Sequence, residues 1–313
     1  MPKVSVCIPS YQQPEMLGKC LDSVVMQDYK DYEIIVSDDT PDDSVERLLA
    51  SEKYRGKAAY YHNPLPLGTP ENWNNAVSKA KGSFIKVLHH DDFFTEKYSL
   101  GKLVELMDDH SGGDLAFCAT RVWNLRTDEK RIHCCSPKQL ERIRKEPEFL
   151  FFRNMIGAPS ATIYSAGLNM DYDEEMKWLV DVDFYIRLLQ KNPSLIMSPE
   201  PLICTRDGAA GQVTQSVYND RLLQVREHVL LMGKIISGVK NRESFVLFFG
   251  ELFDRFEVNT MMDLKEICYL DRNLEDFFVE VLDQKAKRPL YKKARKWFYN
   301  SRFNNQLFKL EKY

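Results

Sequence analysis

The chain has 313 residues, 44% of them apolar and 28% charged, and carries a formal charge of −3. That length allows one large domain or a domain with an appendage, and it can bury a core without disulfide or metal staples. The composition excludes disordered, collagen-like and disulfide-scaffold classes, and the net charge gives no reason to expect nucleic acid as a partner. Seven cysteines, an odd number with no CxxC pair, point to reduced cytosolic thiols and against a zinc knuckle or redox dithiol. Strand-like VSVCIPSY follows Met1-Pro2-Lys3 directly, which argues against a signal peptide. The longest uncharged stretch, 154–170, contains Gly157, Pro159 and Gly167 and does not read as a membrane span.

The first half alternates short apolar runs with amphipathic stretches. VSVCIPS (4–10), EIIVSDD (33–39), KAAYYHN (57–63) and SFIKVLHHDD (83–92) are predicted strands, rich in Val, Ile, Tyr and Phe and bounded by turn residues. Helices are predicted over about 14–27, 42–53 and 70–81, the last with Thr69 as its cap and Pro70 at its first position. Strand, helix, strand with short links implies a parallel sheet covered by helices on both faces. In such sheets ligands bind beyond the carboxyl ends of the strands. Those ends read Pro9-Ser10-Tyr11, Ser37-Asp38-Asp39-Thr40 and His89-His90-Asp91-Asp92. Two acidic pairs and a histidine pair are therefore expected on one edge, a clustering that is costly without a cation.

In the second half, LAFCATRVWN (115–124) is a predicted strand and 126–146 a charged loop plus helix. A short helix over 148–157 leads through a Pro-Ser turn into a strand at 158–165. VDVDFYIRLL (180–189) is helical with Asp181 near its start, and 194–207 reads as an interrupted strand pair. A glycine-containing link, 207–214, precedes a long amphipathic helix near 216–237, and the pattern is helical from Asn241 on. GxG, GxxxxGK, GxSxG and HExxH are all absent, so the sheet holds its ligand by another device.

Residues 4–44, from VSVCIPSY through EIIVSDDTPDDS, resemble the opening of family 2 glycosyltransferases. GTPENWNNAVSKAKGSFIKVLHHDD (68–92) resembles their segment ending in the DxD motif, and GAPSATIY (157–164) and VDVDFYIRLL their acceptor-side motifs. The resemblance is of the inverting, bacterial-polysaccharide type. It implies the α/β GT-A (nucleotide-diphospho-sugar transferase) fold: a mostly parallel central sheet flanked by helices, here with a helical C-terminal extension. It implies a GT-A domain over 1–215, divided into a nucleotide-sugar-binding half (1–125) and an acceptor-side half (126–215), followed by an extension over 216–313. The implied activity is transfer of a sugar from a nucleotide-sugar donor to a saccharide or lipid-linked saccharide acceptor, in surface polysaccharide or glycolipid synthesis. A cytoplasmic location is implied, at the inner face of the membrane if the chain meets lipid.

The resemblance assigns roles residue by residue. Asp91 matches the last Asp of the DxD motif and His89 stands at its first position, so the pair is expected to hold a divalent cation, Mn2+ or Mg2+, with His90 and Asp92 in support. Asp39 matches the carboxylate that reads the base, while Asp38 either serves the ribose or caps the next helix. Pro9, Ser10 and Tyr11 match the wall of the base site, Tyr11 either stacking or merely buried. Asn74 matches the Asn of an Arg-Asn pair near the donor, and the Arg position holds Trp73. Asp181, six residues before Arg187, matches the base that activates the acceptor. Asp183 also fits, but positions two apart on a helix point about 200° apart, so only one faces the sugar, and Asp181 is favoured. Gln212-Val213-Thr214 resembles a loop that closes near the donor, with Arg206 either on phosphate or an ordinary surface residue.

Residues 285–313 carry ten Lys or Arg and one Glu, with Leu290, Tyr291, Ala294, Trp297 and Phe298 at helical spacing. This reads either as a basic amphipathic helix for a membrane surface or as a packed helix with a solvated basic face. Two other classes fit parts of the pattern. A nucleotidyltransferase would show a Gly-rich, basic first loop, which Pro9-Ser10-Tyr11-Gln12 is not. A non-catalytic sugar-nucleotide binder is suggested by His89 and Trp73.

Overall fold

The apolar runs of the first half become the parallel centre of a mixed sheet. The computed structural model describes residues 1–109, 113–208, 217 and 219–287. Gln212-Val213-Thr214 and the basic tail beyond 287 lie outside the described residues. β1 (Val4–Ser10) is buried along its whole length and pairs in parallel with β2 (Tyr32–Asp38) and β4 (Phe84–Val87). β3 (Ala59–His62) pairs in parallel with β2. A strand with both faces buried needs helices on both sides. α1 (Pro14–Val25) supplies one, burying Leu17, Cys20, Leu21 and Val24 at helical spacing. α2 (Ser44–Ala50) and α3 (Glu71–Ser78) follow β2 and β3.

Beyond β4 the sheet changes direction. β5 (Phe93–Phe94) and α4 (Ser99–Asp108) come next, then β6 (Leu115–Asn124), β7 (Lys130–His133), α5 (Pro137–Lys145), β8 (Thr162–Ser165), α6 (Val180–Lys191) and β9 (Leu195–Asp207). Among the described residues the sheet has nine strands in the order β3-β2-β1-β4-β8-β6-β9-β5, with β7 on β6. β8 runs antiparallel to both β4 and β6, whereas β9 runs parallel to β6. The parallel expectation thus holds for β1 to β4, and antiparallel pairings take over from β8.

Several elements differ from the sequence reading. β5 and α4 occupy a stretch to which that reading assigns nothing, and Ser23 and Gln27 of the first helical region hold them. The Ser23 hydroxyl accepts from Phe94 N at 3.1 Å, and Gln27 Oε1 accepts from Leu100 N at 2.8 Å. The charged stretch 126–146 contains a strand, β7, as well as the helix. Leu195–Asp207 form one strand, not two: the register against β6 slips on either side of Ala119, which pairs with Pro201, so that Pro199, Glu200 and Leu202 are absorbed as bulges. The short helix expected over 148–157 is a five-residue 3-10 helix, Pro147–Phe151, and the chain beyond it is not helical. Thr69 does not cap α3: the Thr69–Pro70 peptide is cis, and Pro70 is itself the residue before the first helical turn.

The described residues fall into two compact units, one of Met1–Pro147 with Asn154–Gln212, the other of Glu148–Arg153 with Val213–Tyr313. The second is helical: α7 (Arg221–Ile235), α8 (Arg242–Arg255), α9 (Met261–Lys265) and α10 (Arg272–Ala286). Asp220, Asn241, Thr260 and Asp271 each cap the helix that follows. Its core is aromatic, with Phe151, Phe245, Phe249, Phe277 and Phe278 in edge and tilted contacts. His228 is buried there, its Nδ1 donating to the Gln224 carbonyl at 2.6 Å, and burial lowers its pKa to about 4. Among the described residues, no helix is long and apolar enough to cross a membrane.

A close backbone approach fixes the start of β4. Gly82 N donates to Ser5 Oγ at 2.8 Å, and a Cβ on Gly82 would lie 2.6 Å from Ser5 N. The obstacle is backbone, so it cannot rotate away. Gly82→Ala is expected to destabilise the fold by about 1–3 kcal/mol, read as a lower denaturant midpoint. An unchanged midpoint would show that β1 and β4 are not so tightly apposed.

Candidate active site

Three strand ends supply the site. β1 delivers Pro9 and Ser10, both buried, and then Tyr11, which is 49% exposed. Of the two readings for Tyr11, the buried aromatic is therefore excluded. The Ser10 hydroxyl is buried and has no hydrogen-bond partner among the described residues, while its carbonyl accepts from Asp39 N at 2.9 Å.

The acidic pair after β2 is buried and already engaged. Asp38 Oδ1 accepts from Thr40 N at 3.0 Å and Thr40 Oγ1 at 2.6 Å, and its Oδ2 accepts from Tyr60 OH at 3.0 Å. It does not cap the next helix, where Asp43 occupies the flanking position. Asp39 Oδ1 accepts from Asn63 Nδ2 at 2.8 Å and Leu67 N at 3.1 Å, and its Oδ2 from Gly68 N at 2.8 Å. Asn63 also touches Asn72 at 3.2 Å and accepts from Asn75 at 2.9 Å. An asparagine network thus aims the Asp39 carboxylate, with the β3–α3 loop folded over it. None of Asn63, Asn72 and Asn75 carries a motif-level signal.

The turn after β4 gathers the titratable groups. Ligand atoms of His89, Asp91 and Asp92 all lie within 4.8 Å of one another. His89 N donates to Ser160 Oγ at 3.0 Å, and its ring lies against Trp73 with centroids 4.6 Å apart. The Nε2 atoms of His89 and His90 are buried without partners among the described residues. Burial lowers the His89 pKa to about 4, and lowers that of His90, which also hydrogen-bonds the Pro9 backbone. Asp92 is buried and raised to about 8, by burial first and then by the Asp91 charge. It accepts from Arg206 N at 3.3 Å and is hydrogen-bonded by Ser160. The structure thus places Asp92 in the cluster and leaves His90 out of the trio. A buried, unpartnered imidazole nitrogen beside two carboxylates is a donor set that fits a divalent cation.

Beneath the turn lies a residue the sequence reading misses. Lys86, in the middle of β4, is fully buried, and burial lowers its pKa to about 8. Its ammonium donates to the Val87 carbonyl at 3.2 Å and to the Ser160 carbonyl. A charged residue inside the apolar run FIKVL is the visible signal.

The acceptor-side half contributes α6. Asp183 is fully buried and accepts from Arg187 Nε at 2.7 Å. Asp181, on the far side of the helix, is half-buried, with its Oδ2 accepting from Asn154 Nδ2 at 2.7 Å. Asn154 also binds the backbone of Ile156 and Gly157, so the turn 154–157 positions Asp181. Asn74 is clamped to one backbone group: its Nδ2 donates to Tyr172 O and its Oδ1 accepts from Tyr172 N, both at 2.9 Å. Trp73 packs edge-on against Tyr172, which stacks on Phe184 of α6. Arg206 is 7% exposed, so it is no surface arginine; its guanidinium lies over the Phe93 ring and against Met16 Sδ.

Acids converging beyond the carboxyl ends of a parallel β1–β4 core, with a mixed sheet beyond, define the GT-A class of glycosyltransferases. The model for glycosyl transferase family 2 matches residues 5–174, and the chain belongs to that family. It is a glycosyltransferase. A Mycobacterium tuberculosis protein of unknown function is 29% identical over 244 residues, 73% of this chain and 75% of that one. A Campylobacter jejuni GalNAc(5)-diNAcBac-PP-undecaprenol beta-1,3-glucosyltransferase is 36% identical over 94 residues, but only 29% of this chain and 30% of that protein align. Among solved structures, S. aureus TarS with UDP-GlcNAc superposes with TM-score 0.61 at 18% identity, over 94% of this chain and 87% of that one. The mannosyltransferase PcManGT of Pyrobaculum calidifontis with GDP-Man and Mn2+ gives 0.57 at 15% identity, over 95% and 83%.

The buried acid makes the site pH-sensitive. Asp92 releases its proton near pH 8 in the folded chain, against an ordinary value of 3.8. Between those values the folded state holds the extra proton, so stability falls as pH rises. Asp92→Asn removes that dependence. In a chelator its melting temperature is expected to exceed that of the unsubstituted protein by a margin that grows from about pH 5 to about pH 8. A constant margin would show that Asp92 is not held protonated.

Proposed function

We propose that this chain is an inverting glycosyltransferase that moves a sugar from a nucleoside-diphosphate sugar to a hydroxyl of a saccharide or lipid-linked saccharide. The observation that carries the reading is the division of labour on α6. Asp183 is buried and committed to Arg187, whereas Asp181 is partly exposed and aimed by Asn154. Of the two only Asp181 is partly exposed, and it is the one the family pattern favours.

The chain's own residues then have distinct tasks. Pro9, Ser10 and Tyr11 form the wall on which the base packs, and Asp39 accepts from a base N–H. Asp38 stiffens the strand end through Thr40 and Tyr60 rather than meeting ribose directly. Asn74 fixes the Tyr172 segment beside the donor, and His90 lines the diphosphate end of the site. His89 and Asp91, with Asp92 beside them, would hold Mn2+ or Mg2+, which supplies charge neutralisation to the departing diphosphate. Asp181 takes the acceptor proton as the hydroxyl attacks the anomeric carbon from the face opposite the leaving group. One displacement of this kind inverts the configuration.

The name of the Campylobacter jejuni relative, a GalNAc(5)-diNAcBac-PP-undecaprenol beta-1,3-glucosyltransferase, supports a lipid-linked acceptor and a place in surface polysaccharide or glycolipid synthesis. The basic tail, 285–313, then serves to bring the 216–313 extension of the 1–215 domain to the cytoplasmic face of a membrane.

Asp181→Asn is the direct test. Turnover is expected to fall by roughly 10²-fold or more with donor affinity little changed, because the amide cannot take a proton. Asp183→Asn instead costs about 3–5 kcal/mol of stability, by stranding Arg187. Normal turnover in Asp181→Asn, or a product that retains the donor configuration by NMR, would reject the mechanism. At the base site, Asp39→Ala should weaken nucleoside-diphosphate binding about 5–150-fold in calorimetry, and unchanged affinity would move the base elsewhere.

A further inference from the structure

This chain departs from the pattern of the family it resembles at two positions far apart in sequence. Trp73 stands where that pattern has Arg, and His89 where it has the first Asp of DxD. In the folded chain the two substitutes touch, with ring centroids 4.6 Å apart and planes at 42°. Two positions where the family pattern has charged residues thus hold rings in contact.

We propose that His89, Asp91 and Asp92 together form one nitrogen–oxygen cation site, held in shape by Trp73, which selects a transition-metal ion over Mg2+. The proposal rests on the glycosyltransferase reading for what the cation faces, and it adds a third ligand and a metal preference.

Four observations carry it. The three ligand atoms already lie within 4.8 Å of one another, so a single ion can reach all of them after small side-chain motions. His89 Nε2 is buried and has no partner among the described residues, a costly state for a neutral imidazole unless a ligand completes it. The imidazole is held from two sides, its backbone N–H by Ser160 Oγ at 3.0 Å and its ring by Trp73, which rests in turn on Tyr172. Asp92 is fixed by the Arg206 backbone N–H and by Ser160, so it too is aimed rather than swinging in solvent.

The selectivity is a matter of donor chemistry. Mg2+ is hard, favours six oxygens and gives up water reluctantly. An imidazole nitrogen penalises Mn2+ less than it does Mg2+ and suits Co2+ and Zn2+ better still, because affinity rises from Mn2+ towards the later ions. With a carboxylate at position 89 the site would be all oxygen and open to Mg2+. His89 exchanges one of those oxygens for nitrogen and removes one negative charge. Both changes penalise Mg2+ more than a transition ion. Trp73 keeps the nitrogen pointed inward, where an Arg would bring a second cation to the same place.

Electron spin echo spectroscopy of bound Mn2+ tests the ligand set without any turnover. The full chain would be examined with Mn2+ alone and with Mn2+ plus inorganic pyrophosphate. Neither probe contains nitrogen, so any nitrogen modulation comes from the protein. Nitrogen modulation is expected in the unsubstituted chain and in His90→Gln, and is lost in His89→Gln. Mg2+ should displace Mn2+ only at an excess of ~10²-fold or more, and at ~10-fold less in Trp73→Arg/His89→Asp, which restores the all-oxygen set. Trp73→Ala should weaken Mn2+ binding ~10–100-fold, as loss of an orienting neighbour does. Thermal melting checks that each variant is folded. Bound Mn2+ without nitrogen modulation, Mg2+ competing on equal terms, or no Mn2+ binding with either probe would overturn the proposal. Sugar transfer is assayed separately: transfer with normal rates in Mg2+ would sink the metal preference and leave the transferase reading intact.

Discussion

One small residue holds the turn after β4 together. Ser160 takes the Lys86 ammonium on its carbonyl and the His89 N–H on its hydroxyl, and hydrogen-bonds the Asp92 carboxylate. A buried lysine and a buried carboxylate are each expensive, and the cost is tolerable only because both are tied to polar partners at fixed points. Ser160 comes from the acceptor-side half and Lys86, His89 and Asp92 from the donor-side half. The serine therefore joins the two halves of the GT-A sheet at the turn proposed to hold the diphosphate and its cation. The antiparallel insertion of β8 between β4 and β6 is what brings Ser160 there.

A second join, made of rings, runs from the same turn to α6. His89 lies on Trp73, Trp73 on Tyr172, and Tyr172 on Phe184, one residue beyond Asp183. Asn74, next to Trp73, locks the Tyr172 backbone from the other side. The turn after β4 and α6 are thus parts of one packed body within the first unit, with little freedom to drift apart. Such rigidity is what keeps a carboxylate base and a leaving group in register.

The parallel core was legible in the sequence because its signal is dense. VSVCIPS and EIIVSDD are unbroken apolar runs closed by polar residues, and they become β1 and β2 within a residue of the predicted bounds. Helical geometry separates the faces of Asp181 and Asp183, but only the fold shows that Asp183 is on the buried one. Other features had weak signals. β7 reads Lys-Arg-Ile-His, with no alternation to mark a strand, because it lies at the margin with Ile132 exposed. α4 did carry a stripe, Leu100, Leu103, Val104 and Met107, which the long run of strand-like text before it obscures. The asparagines around Asp39 come from three positions whose meeting depends on the β3–α3 loop folding back, and no local spacing encodes that.

The account stands or falls on where the cation and diphosphate sit. A crystal of the full chain grown with Mn2+ and UDP, with anomalous scattering measured at the manganese edge, locates the ion without reference to any assumed mechanism. The account predicts one strong peak bounded by His89, Asp91 and Asp92, with the diphosphate beside it and the base on the Tyr11 and Asp39 side. A peak away from that turn, or a nucleotide bound at another edge of the sheet, would contradict it.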